Sequence, residues 1–147
     1  MEYDFDKTVN FLKKIRWMDN EIDALIEDKN SYMDIATKTT STLDSNRVQS
    51  SSGCNDKMDE ITSKIADIEN DIYARIDRLV DYKKTVSNVI RQIGDKECQM
   101  VLVLKFIRYM QMTDIAEKMN MDRTTVYRKY KKGIELAQEI LSDSDKK

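Results

Sequence analysis

The chain has 147 residues, with no proline, only three glycines and 35% charged residues, a mixture that favours long helices over sheet and makes all-α the expected fold class. Histidine is absent, which removes the commonest general base and nitrogen ligand. No glycine-rich phosphate loop or convergent carboxylates stand in for it, so the chain reads as a non-enzyme without cofactor or metal. A formal charge of −2 excludes a uniformly basic nucleic-acid binder, and any such role must depend on where the charges lie.

The first element, from about Phe5 to Ala36, carries apolar residues at Phe11, Ile15, Met18, Ile22, Leu25 and Tyr32, with Lys29 completing the alternation of three and four. That is a heptad seam, widened on one side by Leu12, Ile26 and Met33, and Trp17 beside it reads as packing. The acidic start MEYDFDK lacks the basic, then apolar, pattern of an export signal. Thr37 to Lys57, dense in serine and threonine, has no apolar period and reads as a loop, in which Arg47, Val48 and Gln49 are candidates for partner contact. A second heptad run follows from Asp56 to Ile93 through Ile61, Ile65, Ile68, Ile72, Arg75, Leu79, Tyr82, Val86, Val89 and Ile93. Two such seams joined by a loop fold back most simply as an antiparallel hairpin, although the same seams suit pairing between chains. Arg75 stands where an apolar residue is expected; it either sets register or oligomeric state, or reaches to solvent while Ile76 fills the core. Cys54 and Cys98 lie too far apart and too alone for a zinc site and read as reduced, inert thiols.

Gly94 is expected to end the hairpin as a left-handed cap, with Asp95 capping the next helix. Lys96 to Tyr109 reads as a supporting helix with Met100, Val101, Leu104 and Ile107 as its buried face. Its apolar run, Met100 to Leu104, stops at Lys105, far short of the ~20 residues that span a bilayer, so a soluble, cytoplasmic protein without membrane contact is expected.

Met112 to Lys132, MTDIAEKMNMDRTTVYRKYKK, reads as two short helices about a corner. Ile115, Ala116 and Met119 share one face of the first, Asn120 supplies a left-handed break, and the Asp122 carboxylate is placed to cap the second. The second helix buries Val126 and Tyr130 and turns Arg123, Thr124, Thr125, Tyr127, Arg128, Lys131 and Lys132 outward, a set suited to base edges and phosphates of a major groove. Between Arg123 and Lys132 there are five basic residues and no acidic one, so this run carries +5 and the remainder −7. At a Debye length of about 8 Å, acids several turns away scarcely affect a phosphate docked here. Ile134, Leu136, Ala137, Ile140 and Leu141 continue the helical pattern, and residues 142–147 read as a disordered tail.

The segment LKFIRYMQMTDIAEKMNMDRTTVYRKYKKGIEL resembles region 4 of bacterial sigma factors, and the hairpin with its Arg47, Val48, Gln49 loop resembles the phage late-gene transcriptional regulators of the RinA and ArpU type. The Ile115, Ala116 pair and the run Thr125, Val126, Tyr127, Arg128 carry most of the likeness. The resemblance implies a sequence-specific regulator, an activator of phage late or packaging genes in the bacterial host cytoplasm. Its partners would be double-stranded DNA, a second copy bound through the hairpin, and host RNA polymerase. Asn120 stands where glycine is common in that family. Lys129 replaces a usual leucine, which implies looser packing or a further phosphate contact, and Gly133 replaces a typical alanine, which implies a looser link to the last helix. On these expectations residues 1–94 form the hairpin, 95–141 the helix-turn-helix domain and 142–147 the tail. Two other readings share the same features: a small-terminase-like packaging subunit, and a helical adaptor that binds protein without binding DNA.

Overall fold

The computed structural model describes residues 3–45 and 52–146, with side chains for 3–40 and 56–146. Among the described residues the regular elements are helices: α1 (Phe5–Ser45), α2 (Ser52–Arg91), α3 (Lys96–Leu102), which runs into a π-helical turn at Val103–Ile107, α4 (Met112–Met119) and α5 (Arg123–Asp145). The all-α class follows. Arg47, Val48 and Gln49 lie outside the described residues, as does the side chain of Cys54.

Contacts gather into two compact units, Asp19–Arg78 and Met1–Met18 with Leu79–Lys147, instead of dividing at residue 94. Asp19–Arg78 is a hairpin unit made from α1 and α2. Lys29 Nζ lies 2.9 Å from Glu69 Oε1, and Arg75 Nη1 lies 2.6 Å from Glu21 Oε2. Going up α1 from Glu21 to Lys29 goes down α2 from Arg75 to Glu69, so the helices are antiparallel. Within the unit Ile22 and Ile72 are buried at the seam. Arg75 is half-buried and bonded across the pair, while Ile76 is 38% exposed. Of the two roles open to Arg75 the structure therefore favours register: its guanidinium bridges Glu21 on the neighbouring helix and Asp71 one turn back, and Ile76 does not replace it in the core.

Within the stretch 37–57 expected as a loop, α1 continues to Ser45 and α2 begins at Ser52. The threonines that argued for a loop are accommodated inside the helix. Thr37, Thr39 and Thr40 each donate to the carbonyl four residues back, on Met33, Ile35 and Ala36. Threonine hydroxyls that bond their own helix no longer compete with it. Trp17, expected to pack, is 66% exposed, because it lies one step outside the α1 seam.

In the unit of Met1–Met18 and Leu79–Lys147, Leu12, Ile15, Val86, Ile90, Leu102, Ile134 and Ala137 are buried. Tyr82 donates its hydroxyl to the Phe11 carbonyl and meets the Phe11 ring edge-on, and burial pushes the Tyr82 phenol up to about 12. Gly94 is not the left-handed cap expected, since among the described residues no glycine has positive φ. The end of α2 is closed by Gln99, whose amide donates to the carbonyls of Arg91 (3.0 Å) and Ile93 (3.1 Å), so no left-handed residue is needed there. Asp95 does cap α3, accepting from the amides of Glu97 (3.0 Å) and Cys98 (3.1 Å).

The buried face of α3 is Cys98, Val101 and Leu102; Met100, placed in the core by sequence spacing, is 49% exposed. The π turn explains the next discrepancy. Continued at α spacing, the buried face Cys98, Val101 and Leu102 would next turn Lys105 inward; the wider π turn delays this by one residue, so Phe106 is buried while Ile107, expected inward, is half-buried. The helix ends at Ile107, and Tyr109, two residues on, is in the left-handed region at φ 58, with the Arg16 guanidinium 4.8 Å from its ring centre.

Candidate nucleic-acid interface

The corner between α4 and α5 is built by backbone chemistry. Asn120 has φ 52 and ψ 46, left-handed as its side chain allows at modest cost. Its amide donates to Glu117 (3.2 Å), and the Met121 amide donates to Ala116 (2.9 Å), which together close the last turn of α4 in a Schellman motif. Met121 then packs against the buried cluster of Val101, Leu104, Ile115, Ala116 and Val126, as do Met110, Met112 and Met119. Unbranched thioethers suit this rim, where two short helices and a π turn leave irregular gaps. Asp122 holds the extended backbone of an N-cap, but its carboxylate makes no capping bond and the residue is exposed.

From that corner α5 runs as one continuous helix through Asp145, with Leu141 buried, where a link after Lys132 and an unstructured tail from 142 were expected. Gly133 is the reason the helix can lie so close to α3. A Cβ at that position would meet Leu102 Cγ at 3.1 Å and its two methyls at 3.2 and 3.3 Å. The glycine thus marks a close helix crossing and not a loosened joint.

Sequence and structure agree on which way α5 faces. Val126 is fully buried and Tyr130 half-buried, stacked on Phe106 with centroids 5.9 Å apart; burial and then the Tyr127 ring raise the Tyr130 phenol above its usual range. Arg123, Thr124, Tyr127, Arg128, Lys131 and Lys132 are exposed, and Thr125 is half-buried. Tyr127 stacks on Tyr130, and the Lys131 ammonium lies 5.7 Å from the Tyr127 ring centre. Among the described residues no ion pair engages Arg123, Arg128 or Lys131.

Two of the five basic residues are committed elsewhere. Lys129 is bonded to Glu97 (3.0 Å) and lies near Asp95 (3.7 Å), and Lys132 reaches Asp95 (3.4 Å). Lys129 is therefore neither loosely packed nor a free phosphate contact, and its ammonium pKa is raised, first by the Glu97 bond. Lys132, expected to be a free outward cation, is tethered on one side. Asp95 is the hub: one oxygen caps α3 while the other holds two lysines of α5, and its carboxyl is lowered to about 2, first by the Cys98 amide. Reading the sequence missed this role because residues 95 and 129 belong to different helices and no periodicity links them. Beside the hub, Cys98 is buried and its thiol is pushed up, first by burial, which suits the inert thiol expected there.

Among the described residues no group of histidine, cysteine, aspartate or glutamate is placed to hold a metal ion, and no helix is long and apolar enough to cross a membrane. A left-handed corner, a buried face toward α3 and a basic outward face together define a helix-turn-helix on an all-α chain. The family model described as a protein of unknown function (DUF1492) matches residues 37–138, and the chain belongs to that family. No curated protein and no solved structure matches it.

Proposed function

We propose that the protein is a sequence-specific DNA-binding transcriptional regulator that places the first three turns of α5 in a major groove. The observation that carries the reading is the Asn120 corner together with the free guanidinium groups beyond it: Val126 is fully buried while Arg123 and Arg128 are exposed. Forked donors on the outward face of such a helix match the acceptor pair of a guanine edge, and the neighbouring hydroxyls and Lys131 match phosphates. The resemblance to sigma region 4 and to phage late-gene regulators of the RinA and ArpU type supports an activator acting near host RNA polymerase, with two copies reading two half-sites about one helical turn apart.

The test is a nuclease footprint of the full chain on DNA fragments, followed by titration of the protected fragment. Protection of a defined sequence that Arg123→Ala with Arg128→Ala abolishes supports the reading. Retained footprinting by that variant, or the absence of DNA retention at about 50 mM salt, where electrostatic binding is strong, overturns it.

A further inference from the structure

The hairpin unit has an uncovered apolar row. Taking the buried or half-buried Ile22, Leu25, Lys29 and Tyr32 of α1 and Ile65, Ile68, Ile72 and Arg75 of α2 as the seam, Ile26 and Met33 follow the seam on one flank of α1, and Ile76 holds the same register position on α2. In an antiparallel pair these two flanks lie on the same side. Ile26 is 40% exposed, Met33 47% and Ile76 38%, and Tyr73, one position further out beside Ile76, is 64% exposed. Equivalent positions of the same two helices in the other unit, Leu12 and Ile90, are buried. The same register position is charged at Asp19, Glu69 and Lys83, so the open apolar group within Asp19–Arg78 is Ile26, Met33 and Ile76 with the neighbouring Tyr73.

The rim of that row is of one sign. Asp23, Glu27 and Asp34 on α1 and Asp77 on α2 are exposed along it, and Lys29, the basic group beside it, is held by Glu69. Over the whole unit, residues 19–78 carry fourteen acidic and seven basic side chains, a net of −7, which leaves +5 for the rest of the chain. An acid-rimmed apolar row repels phosphate and anionic lipid. It equally opposes the same row on a second copy, because two-fold pairing would set acid against acid.

We propose that this face of Asp19–Arg78 docks an amphipathic, lysine- or arginine-rich helix of another protein, its apolar side on Ile26, Met33, Ile76 and Tyr73 and its basic flanks on Asp23, Glu27, Asp34 and Asp77. Helix-on-helix docking of this kind is read by anchors at heptad spacing, with charge fixing orientation. The proposal is independent of whether α5 binds DNA.

The probe is a fluorescently labelled three-heptad peptide of leucine at seam positions and lysine elsewhere, titrated against the full chain, with a glutamate-for-lysine peptide as the counterpart. Saturable binding of the lysine peptide is expected. Ile26→Ser with Ile76→Ser should weaken it about tenfold or more, as should Asp23→Lys with Asp77→Lys, with helicity and melting temperature unchanged because these side chains are exposed. If the double isoleucine variant melts lower, Met33→Ser carries the same expectation. No binding, equal binding of the glutamate peptide, or indifference to the apolar substitutions overturns the proposal. So does sedimentation that finds a dimer of the free chain which Ile76→Ser dissociates.

Discussion

At the scale of single residues, Asp95 does more than its sequence position suggests. Its carboxyl, lowered from an ordinary 3.8 to about 2, is ionised more readily in the folded chain than in the unfolded one. A depressed carboxyl contributes stability that is fully present above its unfolded value and is lost as pH falls through the folded one. Wild-type urea midpoints should therefore drop between pH 4 and pH 2, and Asp95→Asn, which can still cap α3, should flatten the Asp95 part of that fall. Equal slopes for the two proteins would refute the assignment. The same substitution releases Lys132, while Lys129 keeps its Glu97 bond, so if α5 binds DNA, Asp95→Asn should strengthen non-specific binding and steepen its salt dependence by about one unit. Gly133 is the second residue whose role depends on a distant neighbour. Alanine would gain up to about 1 kcal/mol in helix propensity, but its Cβ must displace the fully buried Leu102. Gly133→Leu, which cannot fit without moving the crossing, should cost about 1–3 kcal/mol in chemical denaturation.

At the scale of elements, the corner depends on one backbone conformation. With φ 52 at Asn120, any residue with a Cβ and no local hydrogen-bonding amide or carboxylate is strained, while glycine is not. Asn120→Ala should lower stability by about 1–2 kcal/mol in thermal melts, and Asn120→Gly should leave it within a few tenths. A melt unchanged in the alanine variant would mean that the corner relaxes another way. The opposite terminus of that corner behaves differently: Asp122 occupies the cap position without making the cap bond, so α5 owes its start to the Met121 and Val126 contacts with the core. The π turn of α3 belongs at this scale too. It moves Phe106 into the stack with Tyr130, and thereby supports from below the helix whose upper face carries Arg123 and Arg128.

At the scale of the whole molecule, charge is divided: −7 on residues 19–78 and +5 on the remainder. The near-neutral total conceals two surfaces with opposite preferences. If α5 enters a major groove, Arg123→Ala or Arg128→Ala should each reduce discrimination between cognate and altered base pairs by about 1–3 kcal/mol, measured by competition binding. Lys131→Ala should weaken all sequences alike and lower the salt slope by about one unit. Lys132→Ala should do so by less, because Asp95 already holds that ammonium.

Much of the architecture was legible without coordinates. Alternating steps of three and four dictate two seam-forming helices, because only one face of a helix recurs at that spacing, and Asn120 dictates the corner, because few residues tolerate its backbone. The orientation of Val126 against Arg123 and Arg128 was legible for the same reason of periodicity. What tertiary structure alone decided depends on partners remote in sequence. Gln99 closing α2 made a left-handed Gly94 unnecessary, Leu102 gave Gly133 its purpose, Asp95 and Glu97 withdrew Lys129 while Asp95 tethered Lys132, and the π turn brought Phe106 inward. Local spacing specifies which face a side chain occupies; only the packed fold specifies what it meets there.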